Sequence, residues 1–305
     1  MQKKYLIILA GPTASGKTRT AIRLSQHWND APILNADSRQ FYQEMTIGTA
    51  KPTPEEIAAA PHYLFDDRSI QEPLTVGRYE AEVLELLDNL FQKQDVVILT
   101  GGSGLYIRAV CEGLDEFPEV TEVARKEVAA IDKKNGLKGL QEELLKLDPD
   151  YFSQVDQQNP RRLIRALEVC FTSGKPYTYF LTKPKKERPF TTINLCLKWD
   201  RPLLYQRINQ RVDQMMKDGL LEEARTLYPF RELRSLQTVG YKELFAFFNK
   251  EYDALEEVTS QIKQNTRRYA KRQITWFKNL PDCFYFHPDD YKKAIAKVEA
   301  IIVNE

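Results

Sequence analysis

The residues best suited to chemistry form the stretch Gly11-Pro12-Thr13-Ala14-Ser15-Gly16-Lys17-Thr18. An apolar run, Tyr5–Ala10, precedes it, and a helical pattern extending to about Trp28 follows it. In a G-x-x-x-x-G-K-[ST] stretch between strand and helix, the loop amides and the helix N-terminus point at one anion. Lys17 adds a positive charge, and the Thr18 hydroxyl suits a Mg2+ ion that phosphates also hold. The pattern therefore predicts a di- or triphosphate site, with a chance glycine-rich turn as the alternative.

A carboxylate follows the second predicted strand. Pro32–Ala36 is apolar and leads directly into Asp37-Ser38-Arg39-Gln40. Ligands of a parallel α/β sheet bind at the carboxyl ends of the strands, so we expect Asp37 to face the phosphate loop. Like charge disfavours a carboxylate beside phosphate, which favours a role as general base or metal ligand. The alternative is a turn or helix-cap aspartate.

The third predicted strand, Val96–Thr100, is a continuous apolar and β-branched run of the kind that is buried on both faces. It ends in Gly101-Gly102-Ser103-Gly104, without the aspartate with which a P-loop ATPase usually holds Mg2+. The sequence also lacks the Asn-Lys-x-Asp guanine reader of GTPases. These features count against a nucleotide-hydrolysing motor or switch, whereas a small-molecule kinase remains an alternative.

The elements that must position these residues alternate between strands and helices. Residues 41–75 contain Gly48 and four prolines and are predicted to be rich in loop, and Arg78–Gln92 has helical periodicity. Another helix is predicted from about Leu105, and Thr192–Trp199 returns as a strand. The remaining predicted elements are the helices Pro202–Asp218, Gly219–Leu227, Gly240–Phe248 and Leu255–Lys278, the strand Cys283–Phe286 and a last amphipathic helix.

This alternation predicts an α/β fold. We expect a P-loop NTPase-like, doubly wound parallel sheet with an inserted helical domain and a helical C-terminal half. The predicted core comprises residues 1–116 and 190–305. The predicted insertion, residues 117–189, is charge-rich and ends in the polar run Lys183–Pro189.

Composition and charge limit the class of protein to which this chain can belong. The 305 residues include 11% aromatic and 29% charged residues, as in ordinary globular proteins, and no apolar run is long enough for a membrane span. The four cysteines are far apart, and the first apolar run is too short for a secretory signal, so we expect a cytoplasmic protein. The net charge is +1, yet residues 263–278 contain no acid and carry Lys263, Arg267, Arg268, Lys271, Arg272 and Lys278. This stretch predicts a polyanionic partner such as nucleic acid, with a solvated helix face as the alternative.

Several motifs together resemble those of tRNA dimethylallyltransferases. They are GPTASGKT (11–18), NADSRQ (35–40), IGTAKP (47–52), GGSGLY (101–106), NPRRLIRALEV (159–169), SGKP (173–176), RINQRVDQM (207–215), VGYKE (239–243) and TRRYAKRQITWFK (266–278). They span nearly the whole chain in the family's order. Two departures are Ser103, where the family more often has Thr, and Arg161, where Gln is commoner. The zinc-finger extension of eukaryotic relatives is not found here, so the resemblance is to a bacterial form.

The resemblance implies a tRNA prenyltransferase. Such an enzyme transfers a dimethylallyl group from dimethylallyl diphosphate to the exocyclic amine of the adenosine 3′-adjacent to the anticodon, and releases pyrophosphate. The implied general base is Asp37, and the diphosphate would be held with Mg2+ on Thr18. The implied catalytic set is Asp37, Lys17, Thr18, Ser103 and Arg211, and the implied diphosphate-binding set is Gly11, Pro12, Thr13, Ala14, Ser15, Gly16, Lys17 and Thr18. Arg207 lies four residues before Arg211 on the same helix face, and a helix salt bridge is the alternative for both.

The implied partner is the anticodon stem-loop of tRNA, bound by a monomer. The target base is stacked in that loop, so it has to be flipped into the protein. The implied tRNA contacts are Asp37, Ser38, Arg39, Gln40, Ser103, Arg125, Arg161, Arg162, Leu163, Ile164, Arg165, Gln237, Thr238, Val239, Gly240, Tyr241, Lys242, Lys271, Arg272, Gln273, Ile274, Thr275, Trp276, Phe277 and Lys278. For Trp276 and Phe277 the alternative is a buried helix face, and for Ser103 it is a turn.

Three other functions remain open at this point. One is an adenylate isopentenyltransferase acting on free AMP, although a mononucleotide does not need the long basic C-terminal half. The second is a P-loop kinase. The third is a non-catalytic RNA-binding protein, which the intact Lys17, Thr18 and Asp37 disfavour.

Overall fold

The structure is a computed structural model that describes residues 3–181 and 186–304. Within these residues the strands are β1 (Tyr5–Ala10), β2 (Ile33–Asn35), β3 (His62–Tyr63), β4 (Val96–Gly101), β5 (Thr191–Leu197) and β6 (Phe284–Phe286). They form one sheet in the order β3-β2-β4-β1-β5-β6, and all five strand pairings are parallel. The predicted parallel α/β sheet is confirmed.

Helices supply the connections between the strands. Over the same described residues they are α1 (Lys17–His27), α2 (Pro54–Ala58), α3 (Val76–Leu90), α4 (Gly104–Glu112), α5 (Glu122–Leu147), α6 (Pro149–Gln154), α7 (Pro160–Ser173), α8 (Arg201–Lys217), α9 (Leu220–Leu227), α10 (Tyr241–Phe248), α11 (Leu255–Phe277) and α12 (Tyr291–Asn304). In the part of the chain that the structure describes, none of the helices is both long and apolar enough to cross a membrane.

The sheet is covered on both faces, as the continuous apolar strands predict. Along β1, Leu6 and Ile8 contribute to a core with residues of α3 and α4, whereas Ile7 and Leu9 contribute to a core with residues of α1 and α12. This alternation follows from the two-residue repeat of a strand. Burial on both faces leaves the carboxyl ends of the strands as the place where polar side chains can gather.

The segment predicted to be rich in loop, residues 41–75, contains two short elements, α2 and β3. α2 has Pro54 at its first position, and Thr53 and Glu56 form a reciprocal capping box. Proline is well tolerated at the start of a helix, so here it marks a beginning and not an interruption. β3 is only two residues long and pairs with β2.

The chain divides into two compact units, residues 1–111 with 188–305 and residues 112–187. The first unit contains the sheet and a further apolar core formed mainly by residues of α8, α9, α10 and α11. The second unit is helical, and its core includes Val128, Leu140, Leu144 and Leu163. The predicted polar run Lys183–Pro189 begins outside the described residues.

Candidate active site

The phosphate loop connects β1 to α1. Ala14 and Gly16 adopt positive φ values of 62° and 90°, and α1 begins directly after Gly16. Among the described residues no side chain caps the first amides of α1, and its first turn contains no acid. These amides therefore lie at the cavity without an internal anion, an arrangement that binds phosphate.

Lys17 lies against the loop and is largely removed from water. Its Nζ donates hydrogen bonds to the carbonyl oxygens of Gly11 and Pro12, both at 3.0 Å. Burial lowers the pKa of Lys17 from its usual 10.5 to about 8; the Asp37 carboxylate raises this pKa, and the Arg211 guanidinium lowers it. An anion bound in the loop would favour the charged form of the lysine, because its attraction offsets the lost hydration.

Two arginines of α8 flank the loop. Arg207 donates from Nε to the Ala14 carbonyl at 2.9 Å, and its guanidinium lies 4.5 Å from the ring centre of Trp199. Trp199 in turn donates from Nε1 to the Ser15 carbonyl at 2.9 Å. Burial lowers the pKa of Arg211, and the neighbouring Arg207 lowers it further. Within the described residues neither arginine forms a salt bridge, so the helix salt bridge considered as their alternative role is not found there.

Asp37 follows β2 and is held by its neighbours in the chain. Its backbone amide donates to Asn35 Oδ1 at 2.8 Å, and its own Oδ1 accepts a hydrogen bond from the Arg39 amide at 3.0 Å. The turn role is therefore present, but it uses one carboxylate oxygen. Among the described contacts Oδ2 has no hydrogen-bond partner, and Asp37 lines the same cavity as Lys17. The free oxygen is the group that could accept a proton.

Ser103 joins the loop after β4 to the loop after β2. Its Oγ accepts a hydrogen bond from the Ser38 amide at 3.0 Å and lies 3.1 Å from Ser38 Oγ. The two loops are so close that a Cβ at Gly101 would lie 2.2 Å from the carbonyl of Ala36. Ser103 thus has the turn role that was its alternative, and its side chain contacts Ser38, the residue after Asp37.

Gln273 of α11 connects the phosphate loop to the loop after β4. Its Oε1 accepts a hydrogen bond from the Thr13 amide, and its Nε2 donates to the Gly102 carbonyl, both at 2.9 Å. The side chain is buried. Its amide is therefore occupied within the protein, and its principal role in this structure is to position two loops.

One cavity of about 930 Å3 brings the predicted groups together within the first unit. The predicted site residues along its wall are Thr13, Ala14, Ser15, Gly16, Lys17, Thr18, Asp37, Ser38, Arg39, Gln40, Arg211, Gln237, Thr238, Val239, Gly240, Lys242, Arg272 and Gln273. This is the convergence expected at the carboxyl ends of neighbouring parallel strands.

Other predicted contacts on α10 and α11 divide between surface and interior. Lys271, Thr275 and Lys278 are exposed, whereas Phe277 and Tyr241 are buried. Trp276 packs so closely on the loop after β4 that a Cβ at Gly104 would lie 2.1 Å from its ring, and Ile274 is half-buried. For Phe277 the alternative of a buried helix face is therefore found.

The predicted contacts of the insertion belong to the second unit. Leu163 is buried in its core, and Ile164 packs against that core. Arg165 lies over the ring of Phe117, with 5.4 Å to the ring centre. Arg125 forms an exposed salt bridge with a glutamate one turn earlier on α5, and Arg161 and Arg162 are exposed at the start of α7.

Sequence reasoning missed two residues that build the site. Trp199 follows β5, and the sequence predicts only a strand end there, whereas its indole hydrogen-bonds the phosphate loop. Glu223 of α9 binds the backbone at 46–48. Trp199 could have been found as an aromatic residue at the carboxyl end of a core strand. No local pattern in the sequence marks Glu223.

The fold and the loop define the class, a P-loop α/β protein with a cavity suited to a phosphorylated compound. The family described as IPP transferase matches residues 40–280. The "tRNA dimethylallyltransferase 1" of Bacteroides fragilis is 46% identical over 302 residues, which are 99% of this chain and 100% of that protein. The chain belongs to the IPP transferase family, and the predicted family resemblance is confirmed.

Solved structures agree with this assignment. The tRNA isopentenylpyrophosphate transferase from Bacillus halodurans is 35% identical, with a TM-score of 0.72 over 99% of this chain and 96% of that one. A eukaryotic dimethylallyltransferase acting on tRNA is 25% identical, with a TM-score of 0.82 over 99% of this chain and 80% of that one. The predicted P-loop fold is thereby confirmed.

Proposed function

We propose that this chain is a tRNA dimethylallyltransferase, a prenyltransferase that moves a dimethylallyl group from dimethylallyl diphosphate to tRNA. The acceptor is the exocyclic amine of the adenosine 3′-adjacent to the anticodon, and pyrophosphate is released. The observation that carries the proposal is that Lys17 and Asp37 line the same cavity. A site for the leaving anion and an acceptor for the displaced proton thus share one space.

The chemistry follows from these two groups. The amine nitrogen forms a bond to the allylic carbon, the carbon–oxygen bond to the diphosphate breaks, and the proton of the amine passes to the Asp37 carboxylate. Negative charge develops on the leaving diphosphate. The amides of the loop, Lys17 and Arg211 would stabilise that charge in the transition state.

Mg2+ fits this site as a bound cofactor. The Thr18 hydroxyl lies in the first turn of α1 and lines the cavity, so it can supply one oxygen ligand. Mg2+ commonly completes its shell with phosphate oxygens and water. When bound, it would neutralise part of the charge on the diphosphate.

The acceptor base has to leave its stack in the anticodon loop before it can reach the cavity. Ser38, Arg39 and Gln40 lie on the cavity wall next to Asp37 and are suited to receive it. The exposed basic residues Lys271 on α11 and Lys278 directly after it would contact phosphates of the tRNA and set affinity more than base identity.

A transfer assay tests the proposal. The purified chain is incubated with Mg2+ and either prenyl-labelled dimethylallyl diphosphate or γ-labelled ATP, each with tRNA or AMP. We expect label in tRNA from the prenyl donor alone. Label in AMP from that donor would instead assign an adenylate isopentenyltransferase, and label transferred from ATP would assign a kinase.

A further inference from the structure

A carboxylate outside the proposed reaction holds one wall of the cavity. Glu223 lies in the first turn of α9. Its Oε2 accepts hydrogen bonds from the amides of Thr46 (3.0 Å) and Ile47 (2.7 Å), and its Oε1 accepts from the amide of Gly48 (2.9 Å). The hydroxyl of Tyr241 also donates to Oε1, at 2.7 Å. Successive amides that converge on one anion form a nest, and hydrogen bonds to a charged acceptor are stronger than neutral ones.

The segment that Glu223 binds, residues 46–51, is a turn whose second half has local supports: Thr49 Oγ1 donates to the Met45 carbonyl at 2.7 Å, and Lys51 Nζ donates to the Tyr42 carbonyl at 2.6 Å. Ala50 has a φ of 50°, a left-handed conformation that costs a residue with a Cβ about 1–2 kcal/mol. The turn contains a hydrogen bond from the Ala50 amide to the Ile47 carbonyl at 3.0 Å. A Cβ at Gly48 would lie 2.6 Å from the ring of Tyr241. Among the described hydrogen bonds, the amides of residues 46–48 are bound by Glu223, so the first half of the turn depends on its contacts with α9 and α10.

This turn carries part of the proposed nucleotide site. Gly48, Thr49, Ala50 and Lys51 line the cavity. Gln40, three residues after Asp37, donates from Nε2 to the carbonyls of Thr49 (3.0 Å) and Ala50 (3.1 Å). Both hydrogens of the Gln40 side-chain amide are thus used in hydrogen bonds to the turn. Its Oε1 is the side-chain atom left to bind a ligand. Any displacement of the turn would move this oxygen.

The diphosphate side of the cavity is built differently. Lys17 bonds the carbonyls of the phosphate loop, and that loop is held by Gln273, Trp199 and Arg207. Among the described hydrogen bonds, none joins residues 46–51 to the phosphate loop. The two sides of the cavity therefore have separate supports.

We propose that Glu223 is a positioning residue for the acceptor: by binding the amides of residues 46–48 it fixes the turn and, through it, Gln40. The kinetic part of this inference rests on the proposed function. Glu223 itself touches neither the phosphate loop nor the reacting atoms. Its removal should impair the use of tRNA and leave diphosphate binding intact.

Glu223→Gln tests the nest directly. The substitution keeps the size of the side chain but replaces one acceptor oxygen with an amide donor that faces backbone N–H groups. We expect hydrogen exchange at the amides of residues 46–48 to rise by about 10- to 100-fold, the equivalent of losing a hydrogen bond to a charged group. The matched control is Glu222→Gln, because Glu222 is exposed and its described salt bridge is with Arg225 at 3.4 Å.

Kinetics test the positioning role. In Glu223→Gln we expect kcat/KM for tRNA to fall by about 10- to 100-fold, while the Kd for pyrophosphate stays within about twofold of wild type. Tyr241→Phe, which removes one of the four hydrogen bonds, should show a smaller loss of the same kind.

Three results would overturn the inference. Unchanged hydrogen exchange at residues 46–48 would show that Glu223 does not hold these amides. Faster exchange with unchanged kcat/KM for tRNA would show that Glu223 does not position the acceptor. A parallel loss of pyrophosphate affinity and thermal stability would assign Glu223 a general structural role. A wild-type chain that does not prenylate tRNA would overturn the proposed function and, with it, the proposed effect of Glu223 on kcat/KM. The hydrogen-exchange rates would still test whether Glu223 holds the amides of residues 46–48.

Discussion

At the scale of single residues, the charges around the phosphate loop are arranged for a ligand. Burial lowers the pKa of Lys17 and of Arg211, and Asp37 raises both. Two cations held close together out of water are unfavourable unless an anion joins them. The diphosphate would supply that anion. Release of pyrophosphate would leave the two cations close together without it.

The lowered pKa of Lys17, about 8, predicts how binding depends on pH. Below pH 8 the free protein already carries the charge that attracts the anion. As the pH rises through about 8 the free lysine loses its proton, so binding has to take one up and affinity falls. Titration calorimetry should show pyrophosphate affinity about tenfold weaker at pH ~9 than at pH ~7.

The control for this pH dependence is Lys17→Arg, because a guanidinium stays charged over the whole range. Its pyrophosphate affinity should vary less between the two pH values. An equal fall in both proteins would assign the effect to another group or to pyrophosphate itself.

Asp37→Asn tests the proposed general base. Asparagine can still accept the hydrogen bond from the Arg39 amide through its side-chain oxygen, so the turn is kept. It cannot take the proton of the amine. We expect prenyl transfer to slow by about 10²- to 10⁴-fold, with tRNA affinity little changed.

Asp88→Asn is the matched control, since Asp88 is exposed on α3 and does not line the cavity. Single-turnover rates and tRNA binding measured on both variants separate chemistry from affinity. Full activity in Asp37→Asn would exclude the carboxylate as the base.

At the scale of elements, α11 serves two purposes on its two faces. Its buried face inserts Gln273 between the phosphate loop and the loop after β4, and packs Phe277 into the core beneath the sheet. Its exposed face presents Lys271, and the exposed Lys278 follows its last residue. A helix that would bind tRNA on one face thus braces the diphosphate loop with the other.

Gln273→Met should separate the bracing role from packing, because it keeps the volume and removes both hydrogen bonds. The half-buried Thr13 amide and the buried Gly102 carbonyl then lose their partner. We expect the free energy of unfolding to fall by about 1–3 kcal/mol in urea denaturation, and pyrophosphate to bind more weakly.

Gln264→Met on the same helix is the control for Gln273→Met. Gln264 is exposed and its described hydrogen bond is with Gln261, so its loss should change stability by less than about 0.5 kcal/mol. Equal stability and equal pyrophosphate affinity in the two variants would contradict the bracing role.

At the scale of the whole molecule, the net charge of +1 conceals an uneven distribution. The basic stretch of α11 contains no acid in sequence, but α8 supplies Asp213, which forms a salt bridge with Lys263. Arg267 donates to Asn209 Oδ1 at 2.7 Å. The exposed positive charge is therefore concentrated in the second half of the helix and directly after it, at Arg268, Lys271, Arg272 and Lys278.

Lys271→Ala should weaken tRNA binding in a salt-dependent way. A lysine that neutralises one phosphate releases about one counterion, so the slope of log K against log salt should become shallower by about one. Lys297→Ala on α12, an exposed lysine that does not line the cavity, is the control. Identical slopes in the two variants would exclude a phosphate contact by Lys271.

Five of the six strands, most of the helices and the phosphate loop could be predicted from the sequence. These features are encoded locally: β1 and β4 are uninterrupted apolar runs buried on both faces, and the loop is one contiguous motif between a strand and a helix. Asp37 could be predicted to face that loop because parallel strands end at the same edge of the sheet. Each of these inferences needs only a few neighbouring residues.

Contacts between side chains that are far apart in the sequence became visible only in the folded structure. Gln273 reaches the phosphate loop from 260 residues away, and Glu223 reaches Ile47 from 176 residues away. Such contacts depend on the rotation and packing of whole helices, which no local pattern specifies. The same packing buries Phe277 in the core and pairs Lys263 with Asp213. The basic and aromatic stretch that the sequence predicts as one binding surface is therefore divided among the core, a salt bridge and an exposed face.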